Sequence, residues 1–177
     1  MVVYSGSLYI FGGLHGDRAL NDLWLCRETT HSWLWTEIHT EDGLAPKLYD
    51  HAAVVWDRSM WLFGGANGEP NGASNVLFQY EFEGHKWAAF PSSLDARTKH
   101  TAVAVDNILL LLGGCGLLGP NDFVRDIVVC DLRTKVWHAL QADLPEDESN
   151  SSDLETNELQ VCGWDKLAQR RRRVNIS

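Results

Sequence analysis

A glycine pair closes each of three short apolar segments in this chain of 177 residues, and a tryptophan follows every pair at nearly the same distance. The pairs and their tryptophans are Gly12-Gly13 with Trp35, Gly64-Gly65 with Trp87, and Gly113-Gly114 with Trp137. Self-similarity at a period of roughly 50 residues is typical of repeat architectures, in which one small structural unit recurs along the chain. Because the most conspicuous residues recur with the repeat, we expect them to serve the fold first.

Each unit carries the same order of strand signals. Unit two shows four of them: a run after His51, the run that ends at Gly64-Gly65, the segment 75–82, and a last run that begins at Trp87. The run 108–112 of unit three is apolar at every position, which indicates a strand covered on both faces. Because residues 1–141 show no helical periodicity, the sequence predicts an all-β fold.

The repeated residue types have structural explanations. Glycine permits a positive φ and leaves room for a neighbouring strand where a strand must stop and turn. A tryptophan is large and rigid and suits the space between two packed sheets. His51 and His100 lie one repeat apart, so we expect a structural role for them as well. The predicted structural set is Gly12, Gly13, Trp35, His51, Gly64, Gly65, Trp87, His100, Gly113, Gly114 and Trp137.

This order of His, an apolar strand ending in Gly-Gly, Asp-Leu and Trp resembles the kelch repeat. The resemblance implies a kelch-type β-propeller of about three four-stranded blades, with blade units at about 1–40, 46–91 and 96–141. Units two and three are also similar, more weakly, to the leucine-zipper-like kelch–BTB regulators. Two positions of unit two depart from the kelch pattern. Leu48 stands where unit three has Arg97, and Val76 stands where the other units have Asp22 and Asp126.

Three units predict an incomplete ring, since propellers close with about 4 to 8 blades. The first and last blades would then expose apolar faces and unpaired strands, which invite self-association. Two explanations stay open at this point. The chain is a fragment or splice product of a longer protein, which the start in mid-unit favours, or two copies close one six-bladed ring.

The segment 142–177 differs from the repeats in composition. It is acidic and rich in serine and asparagine up to residue 160, and it ends near a run of four arginines at 170–173. Such a composition predicts a disordered tail. The four cysteines have no zinc-binding spacing, so free buried thiols in a reducing compartment are expected. We therefore predict a cytoplasmic protein, or a nuclear one if the arginine run is an import signal.

The loops after the second and fourth strands of each blade are predicted to lie on one face, because strand direction alternates within a blade. Binding residues concentrate on loops held by a rigid scaffold. In unit one the first of these loops is predicted over 14–19. The candidate partner-binding residues are the charged and polar loop side chains His15, Asp17, Arg18, Asn67, Glu69, Arg97 and Lys99.

The resemblance implies a protein-interaction module with protein partners, and no catalytic, cofactor or metal residue is predicted. For the leucine-zipper-like regulators it implies substrate recognition for a cullin-based ubiquitin ligase, and for other kelch proteins a scaffold. The net charge of −9 argues against nucleic-acid binding, which needs clustered cations, and no apolar run is long enough to span a membrane. The alternatives are a kelch-like propeller enzyme of the oxidase or epimerase type, and a truncated isoform without function.

Overall fold

The computed structural model describes residues 1–40, 43–69, 72–116 and 122–140. Within these ranges every regular element is a strand, and the twelve strands form three antiparallel four-stranded sheets. Blade 1 comprises β1 (Val2–Tyr4), β2 (Ser7–His15), β3 (Arg18–Glu28) and β4 (Trp33–Ile38). Blade 2 comprises β5 (Ala52–Trp56), β6 (Ser59–Phe63), β7 (Val76–Glu81) and β8 (Lys86–Pro91). Blade 3 comprises β9 (Thr101–Val105), β10 (Ile108–Leu112), β11 (Ile127–Asp131) and β12 (Val136–Leu140).

The predicted all-β fold with three four-stranded blades is confirmed. In each blade the strands lie in chain order and are joined as successive hairpins. The third and fourth strands pair in the same register in all three blades. Cys26 pairs with Trp35, Tyr80 with Trp87, and Cys130 with Trp137. The predicted disordered tail at 142–177, with Cys162 and the arginine run, lies outside the described residues.

One strand boundary was predicted wrongly in blade 1. The segment 14–19 was expected to be a loop, but β2 continues to His15 and β3 begins at Arg18, which leaves a two-residue turn. A shift in register between Phe11 and Gly13 lets the strand pass through the glycine pair. In blades 2 and 3 the second strand ends at Phe63 and Leu112, directly before the glycine pair, as expected.

The core between the blades repeats one arrangement of rings. His51 and Trp87 of blade 2 pack on Phe11 of blade 1, with ring centroids 5.8 and 4.7 Å away. His100 and Trp137 of blade 3 pack on Phe63 of blade 2 at 5.8 and 4.9 Å. Edge-to-face and tilted ring contacts of this kind stabilise beyond the burial of their area. The same contact therefore joins blade 1 to blade 2 and blade 2 to blade 3.

The first glycine of a pair makes this approach possible. A Cβ on Gly64 would clash with the carbonyl oxygen of Arg97 and would lie 2.5 Å from Cε1 of His100. Gly64 also has a φ of 65°, where side chains are strained. The following residue, Gly65, donates its N–H to the same Arg97 carbonyl at 2.9 Å. Blade 3 thus touches the backbone of blade 2 directly at the glycine pair.

The interface between blade 2 and blade 3 has an additional cation–π contact. The Lys135 ammonium of blade 3 lies 4.5 Å from the centroid of Trp61 and 5.0 Å from that of Phe90, both on blade 2. Partial burial lowers the pKa of Lys135, and its ammonium donates to the carbonyl of Leu132. A surface turn thereby contributes to the packing of two blades.

The close approach at Gly64 can be tested with a matched pair of variants. Gly64→Ala introduces both backbone strain and a steric clash with blade 3, whereas Gly6→Ala introduces strain at a similar φ of 72° with nothing within 4 Å of the new Cβ. We expect Gly64→Ala to lower the free energy of unfolding by about 1–3 kcal/mol more than Gly6→Ala, the range typical of overpacking. Urea-induced unfolding measures both. Equal losses would contradict the direct contact between blades.

Candidate partner-binding face

The loops that follow β2, β4, β6, β8 and β10 meet at one end of the blades, and we call this end the loop face. Backbone hydrogen bonds link them from blade to blade. The N–H of Leu48 donates to the carbonyl of Leu20 at 3.0 Å, and Gly13 donates back to Leu48 at 2.9 Å. Farther along, the N–H of Lys99 donates to Asp50 at 2.9 Å. The loop before each of blades 2 and 3 is therefore fixed to the preceding blade, which gives the face a rigid backbone.

Three of the predicted binding residues lie at the tip of the β2–β3 hairpin. His15 and Arg18 are paired across the two strands, and Asp17 lies in the turn between them. All three side chains are exposed. The tip lies against the loop of blade 2, because a Cβ on Gly68 would be 3.4 Å from the carbonyl oxygen of Asp17. The hairpin tip and the next loop consequently present one continuous surface.

The blade 2 loop contains two further predicted residues with different roles. The side-chain oxygen of Asn67 accepts a hydrogen bond from the N–H of Glu69 at 3.0 Å, and the N–H of Asn67 donates to Gly72 at 2.8 Å. Asn67 therefore shapes its own loop, as Asx turns do. The carboxylate of Glu69 is exposed beside it. Of this pair, Glu69 is the side chain that offers a charge to a partner.

Lys99 lies where the loops of blades 2 and 3 meet. Its ammonium is 4.0 Å from the carboxylate of Asp50, and both side chains are partly exposed. An exposed ion pair of this length contributes little to stability. Lys99 is thus available on the loop face together with Asp50, which the sequence analysis did not select. The signal for Asp50 was its position directly before His51, equivalent to that of Lys99 before His100.

Arg97 is a correction to the predicted binding set. Its side chain is buried, with only 1% of the residue exposed. The guanidinium forms a bidentate ion pair with Asp126, at 2.5 and 3.0 Å between nitrogens and oxygens. A long basic side chain in a loop looks like a surface residue in sequence, but here the loop folds back over the start of β11. Arg97 holds blade 3 together and does not face a partner.

Leu48 and Val76, the two residues of unit two that depart from the repeat pattern, together replace this ion pair in blade 2. Leu48 of blade 2 is the counterpart of Arg97 of blade 3. The carbonyl of Leu48 accepts a hydrogen bond from the N–H of Gly13, just as the carbonyl of Arg97 accepts one from the N–H of Gly65. Val76 is likewise the counterpart of Asp126, because each directly precedes the residue that pairs with the end of the second strand. That residue is Leu77, paired with Phe63, in blade 2, and Ile127, paired with Leu112, in blade 3. Blade 2 therefore has an apolar pair of residues where blade 3 has an ion pair between the buried Arg97 and the partly exposed Asp126.

The repeated histidines lie beneath the loop face rather than on it. Burial lowers the pKa of His51 to about 4, assisted by the positive N-terminus. Burial also lowers the pKa of His100 to about 4, with the Arg97 guanidinium and then His51 as further causes. Both imidazoles are therefore neutral at pH 7. Their contacts with Phe11 and Phe63 make them packing groups of the interfaces between blades.

The described part of the chain contains no group of three or more His, Cys, Asp or Glu residues that could hold a metal ion. Cys26 and Cys130 are free and buried, as predicted, and Cys115 is partly buried. Burial raises the pKa of the Cys130 thiol to about 11. No helix within the described ranges is long and apolar enough to cross a membrane.

An apolar segment that the sequence analysis did not select lies on β4 of blade 1. Trp33 and Leu34 are 55% and 56% exposed, next to Trp35 at 51%. The hairpin of β3 and β4 extends to the pair formed by Glu28 and Trp33, and the turn after it is closed by Thr29 and Ser32. The spacing of the two tryptophans was the available signal, because residues two apart on a strand share a face.

The description of the matching family model is the KLHDC2/KLHL20/DRC7 Kelch-repeats domain, and the match covers residues 1–154. The chain belongs to the kelch-repeat family. Its three sheets with repeated register are kelch blades, and the glycine pairs, histidines and tryptophans occupy equivalent places in them.

Relatives with known names include the leucine-zipper-like transcriptional regulator 1 of Mus musculus. It is 29% identical over 176 residues, which is 87% of this chain and 20% of the relative. Kelch domain-containing protein 3 of Rattus norvegicus is 34% identical over 102 residues, 54% of this chain and 26% of the relative. The chain thus spans about a fifth to a quarter of the length of these two relatives. The predicted similarity to the leucine-zipper-like regulators is confirmed.

The matched replacement at Arg97 and Asp126 leads to a prediction of non-additive stability. Asp126→Val leaves the guanidinium buried without its carboxylate, which typically costs about 3–5 kcal/mol, and the partial exposure of Asp126 favours the lower end. The double variant Arg97→Leu with Asp126→Val reproduces the residues of blade 2. We expect it to recover most of the loss in chemical unfolding experiments. A double variant less stable than Asp126→Val would show that the two blades do not tolerate the same pair.

The buried histidines predict a loss of stability in acid. Their folded pKa of about 4 lies below the ordinary 6.5, so the unfolded chain binds protons that the folded chain excludes. Their contribution is complete above pH 6.5, falls as pH decreases toward 4, and is lost below it, by at most about 3 kcal/mol per histidine. Unfolding at several pH values measures this slope. His100→Gln should reduce it, whereas His39→Gln, at a side chain 81% exposed, should leave it unchanged.

Proposed function

We propose that this chain is a protein-interaction module that binds a partner protein through its loop face. The observation that carries the proposal is that backbone hydrogen bonds join the loop before blade 2 to blade 1, from Leu48 to Leu20, and the loop before blade 3 to the loop before blade 2, from Lys99 to Asp50. Loops fixed in this way lose little conformational freedom on binding, which favours affinity. Membership of the kelch family, and regulator-type names among its relatives, support a non-enzymatic interaction role.

The character of the face suits a polypeptide ligand. It presents charges of both signs, with Asp17 and Arg18 on the hairpin tip, Glu69 on the next loop, and Lys99 beyond it. A nucleic acid would require a cluster of one sign, and the chain carries a net charge of −9. Interspersed charges instead determine the orientation and the on-rate of a protein partner.

The finer role that we propose is substrate recognition for a cullin-based ubiquitin ligase, in the cytoplasm. Its support is the similarity to the leucine-zipper-like regulators, for which the resemblance implies such a role. A second support is an Arabidopsis thaliana relative, 26% identical over 120 residues, whose name combines an F-box with kelch repeats. In this role the loop face would bind the substrate, and another module would contact the ligase.

The face assignment can be tested by charge reversal. Two variants of the chain are used to capture partners from cell extract. The first is a double variant on the loop face, Arg18→Glu with Lys99→Glu. The second is a control, Arg58→Glu, in the β5–β6 turn at the opposite end. Arg58 is a suitable control because its ion pair with Glu83 is exposed. We expect at least tenfold weaker capture of a specific partner by the loop-face variant, and unchanged capture by the control.

Unchanged capture by the loop-face variant together with weaker capture by the Arg58→Glu control would contradict the face assignment. Weaker capture by both variants would indicate non-specific electrostatic binding. The finer role is tested by fusing the chain to a BTB domain that binds a cullin. Such a fusion is expected to increase ubiquitination of the captured partner, and the Arg18→Glu and Lys99→Glu changes to abolish the increase. Capture without ubiquitination would contradict the ligase role and leave the interaction module intact.

A further inference from the structure

Asp50 and Lys99, at equivalent places on the loop face, have a left-handed backbone although neither is a glycine. Their φ angles are 54° and 55°. Elsewhere on this face, in the part of the chain that the structure describes, the left-handed positions are glycines, as at Gly64 and Gly65. A side chain is strained at such a φ, and lysine is less often found there than aspartate. Both residues therefore occupy places that would suit a glycine.

The surrounding structure fixes the backbone at both places. Tyr49, directly before Asp50, exchanges two backbone hydrogen bonds with Ala66, at 2.9 and 2.8 Å. Thr98, directly before Lys99, exchanges two with Cys115 at the same distances. The histidine that follows each place is packed on the preceding blade. Any residue placed here must therefore accept the left-handed conformation, which glycine adopts without strain.

The contacts of the Lys99 side chain do not compensate for this strain. Among the charged groups that the structure describes, its ammonium pairs with the Asp50 carboxylate, 4.0 Å away, and the two side chains are 55% and 39% exposed. An exposed pair of this length adds little stability. Lys135 has a similar φ of 63°, but its ammonium packs on Trp61 and donates to the carbonyl of Leu132. The lysine at 99 thus costs stability that the fold does not recover.

Strained residues that the surroundings hold in place are typical of functional sites. We propose that Asp50 and Lys99 together determine the orientation of the partner protein on the loop face. They would bind a segment of the partner that presents a basic side chain to Asp50 and an acidic side chain to Lys99. This inference rests on the proposed function of the loop face and adds the chemistry of the partner to it.

The geometry of the pair favours a partner segment with both charges. The backbone N–H of Lys99 donates to the carbonyl of Asp50 at 2.9 Å, so the two residues are held side by side. The negative group belongs to the loop before blade 2 and the positive group to the loop before blade 3. A partner segment with one sign of charge would be attracted by one of them and repelled by the other. An oppositely ordered pair is attracted by both, which selects one orientation.

The cost of the lysine can be measured with two glycine variants of the full chain. Lys99→Gly removes strain and a weak ion pair, so we expect the midpoint of thermal unfolding to rise by about 2–4 °C. Lys135→Gly is the matched control, because it removes the same strain together with the cation–π contact, and its midpoint should fall. A midpoint that Lys99→Gly lowers or leaves unchanged would overturn the inference, since the lysine would then serve the fold.

The orientation of the partner can be tested by exchanging the two charges. Random peptides displayed on phage are selected on the unchanged chain, and those that Arg18→Glu weakens are kept as loop-face ligands. The double variant Asp50→Lys with Lys99→Asp keeps the net charge and the ion pair but reverses its direction. Fluorescence anisotropy should show these peptides binding about tenfold or more weakly to it, and unchanged binding to Arg58→Glu. Peptides resynthesised with their acidic and basic residues exchanged should bind the double variant better than the unchanged chain.

The outcomes separate this inference from the proposed function. Peptides that Arg18→Glu weakens but that bind the double variant as tightly as the unchanged chain would overturn the role of the pair and leave the loop face in place. A selection in which Arg18→Glu weakens no peptide would overturn both. Lys99→Gly gives a check that misfolding cannot explain, because we expect this variant to be more stable than the unchanged chain and yet to bind the peptides more weakly.

Discussion

The packing of one blade's tryptophan and histidine on the preceding blade's phenylalanine is the interaction on which the rest of this structure depends. It occurs at Phe11 and again at Phe63, with nearly the same distances and angles. The contact requires the backbones of two blades to meet, which only a residue without a side chain permits at Gly64. The ring contacts and the glycine pairs are thus two parts of one device.

The arrangement of the loop face follows from this packing of the blades. Because the blades meet at the glycine pairs, the loop that leads into blade 2 or blade 3 passes directly over the preceding blade and bonds to its backbone. The same closeness buries the histidines and keeps them neutral. The rigid backbone of the loop face and the neutral histidines beneath it are therefore produced by the same geometry.

Equivalent positions of the repeat tolerate different chemistry when partners change together. Blade 3 uses a bidentate ion pair between Arg97 and Asp126, and blade 2 has Leu48 and Val76 at the same places. The buried guanidinium of Arg97 gains its attraction to Asp126 against a large cost of desolvation, so apolar residues of suitable size can replace the pair. In blade 1, Asp22 instead accepts a hydrogen bond from the indole of Trp24 at 2.7 Å. The backbone of the repeat is constant while the polar connections differ.

The sequence by itself determined the class of fold, the number of blades and the positions that join them, because a period in glycine and tryptophan reflects a requirement that recurs in each unit. It could not decide the fate of single loop residues. Arg97 looked like a surface cation and is buried, Asn67 bonds within its own loop, and β2 runs through a glycine pair that ends the strand elsewhere. Those outcomes depend on which chain segments lie nearby in space. Tertiary structure alone also decided that Trp35 and Leu112, ordinary members of the repeat, are exposed on opposite ends of the three blades.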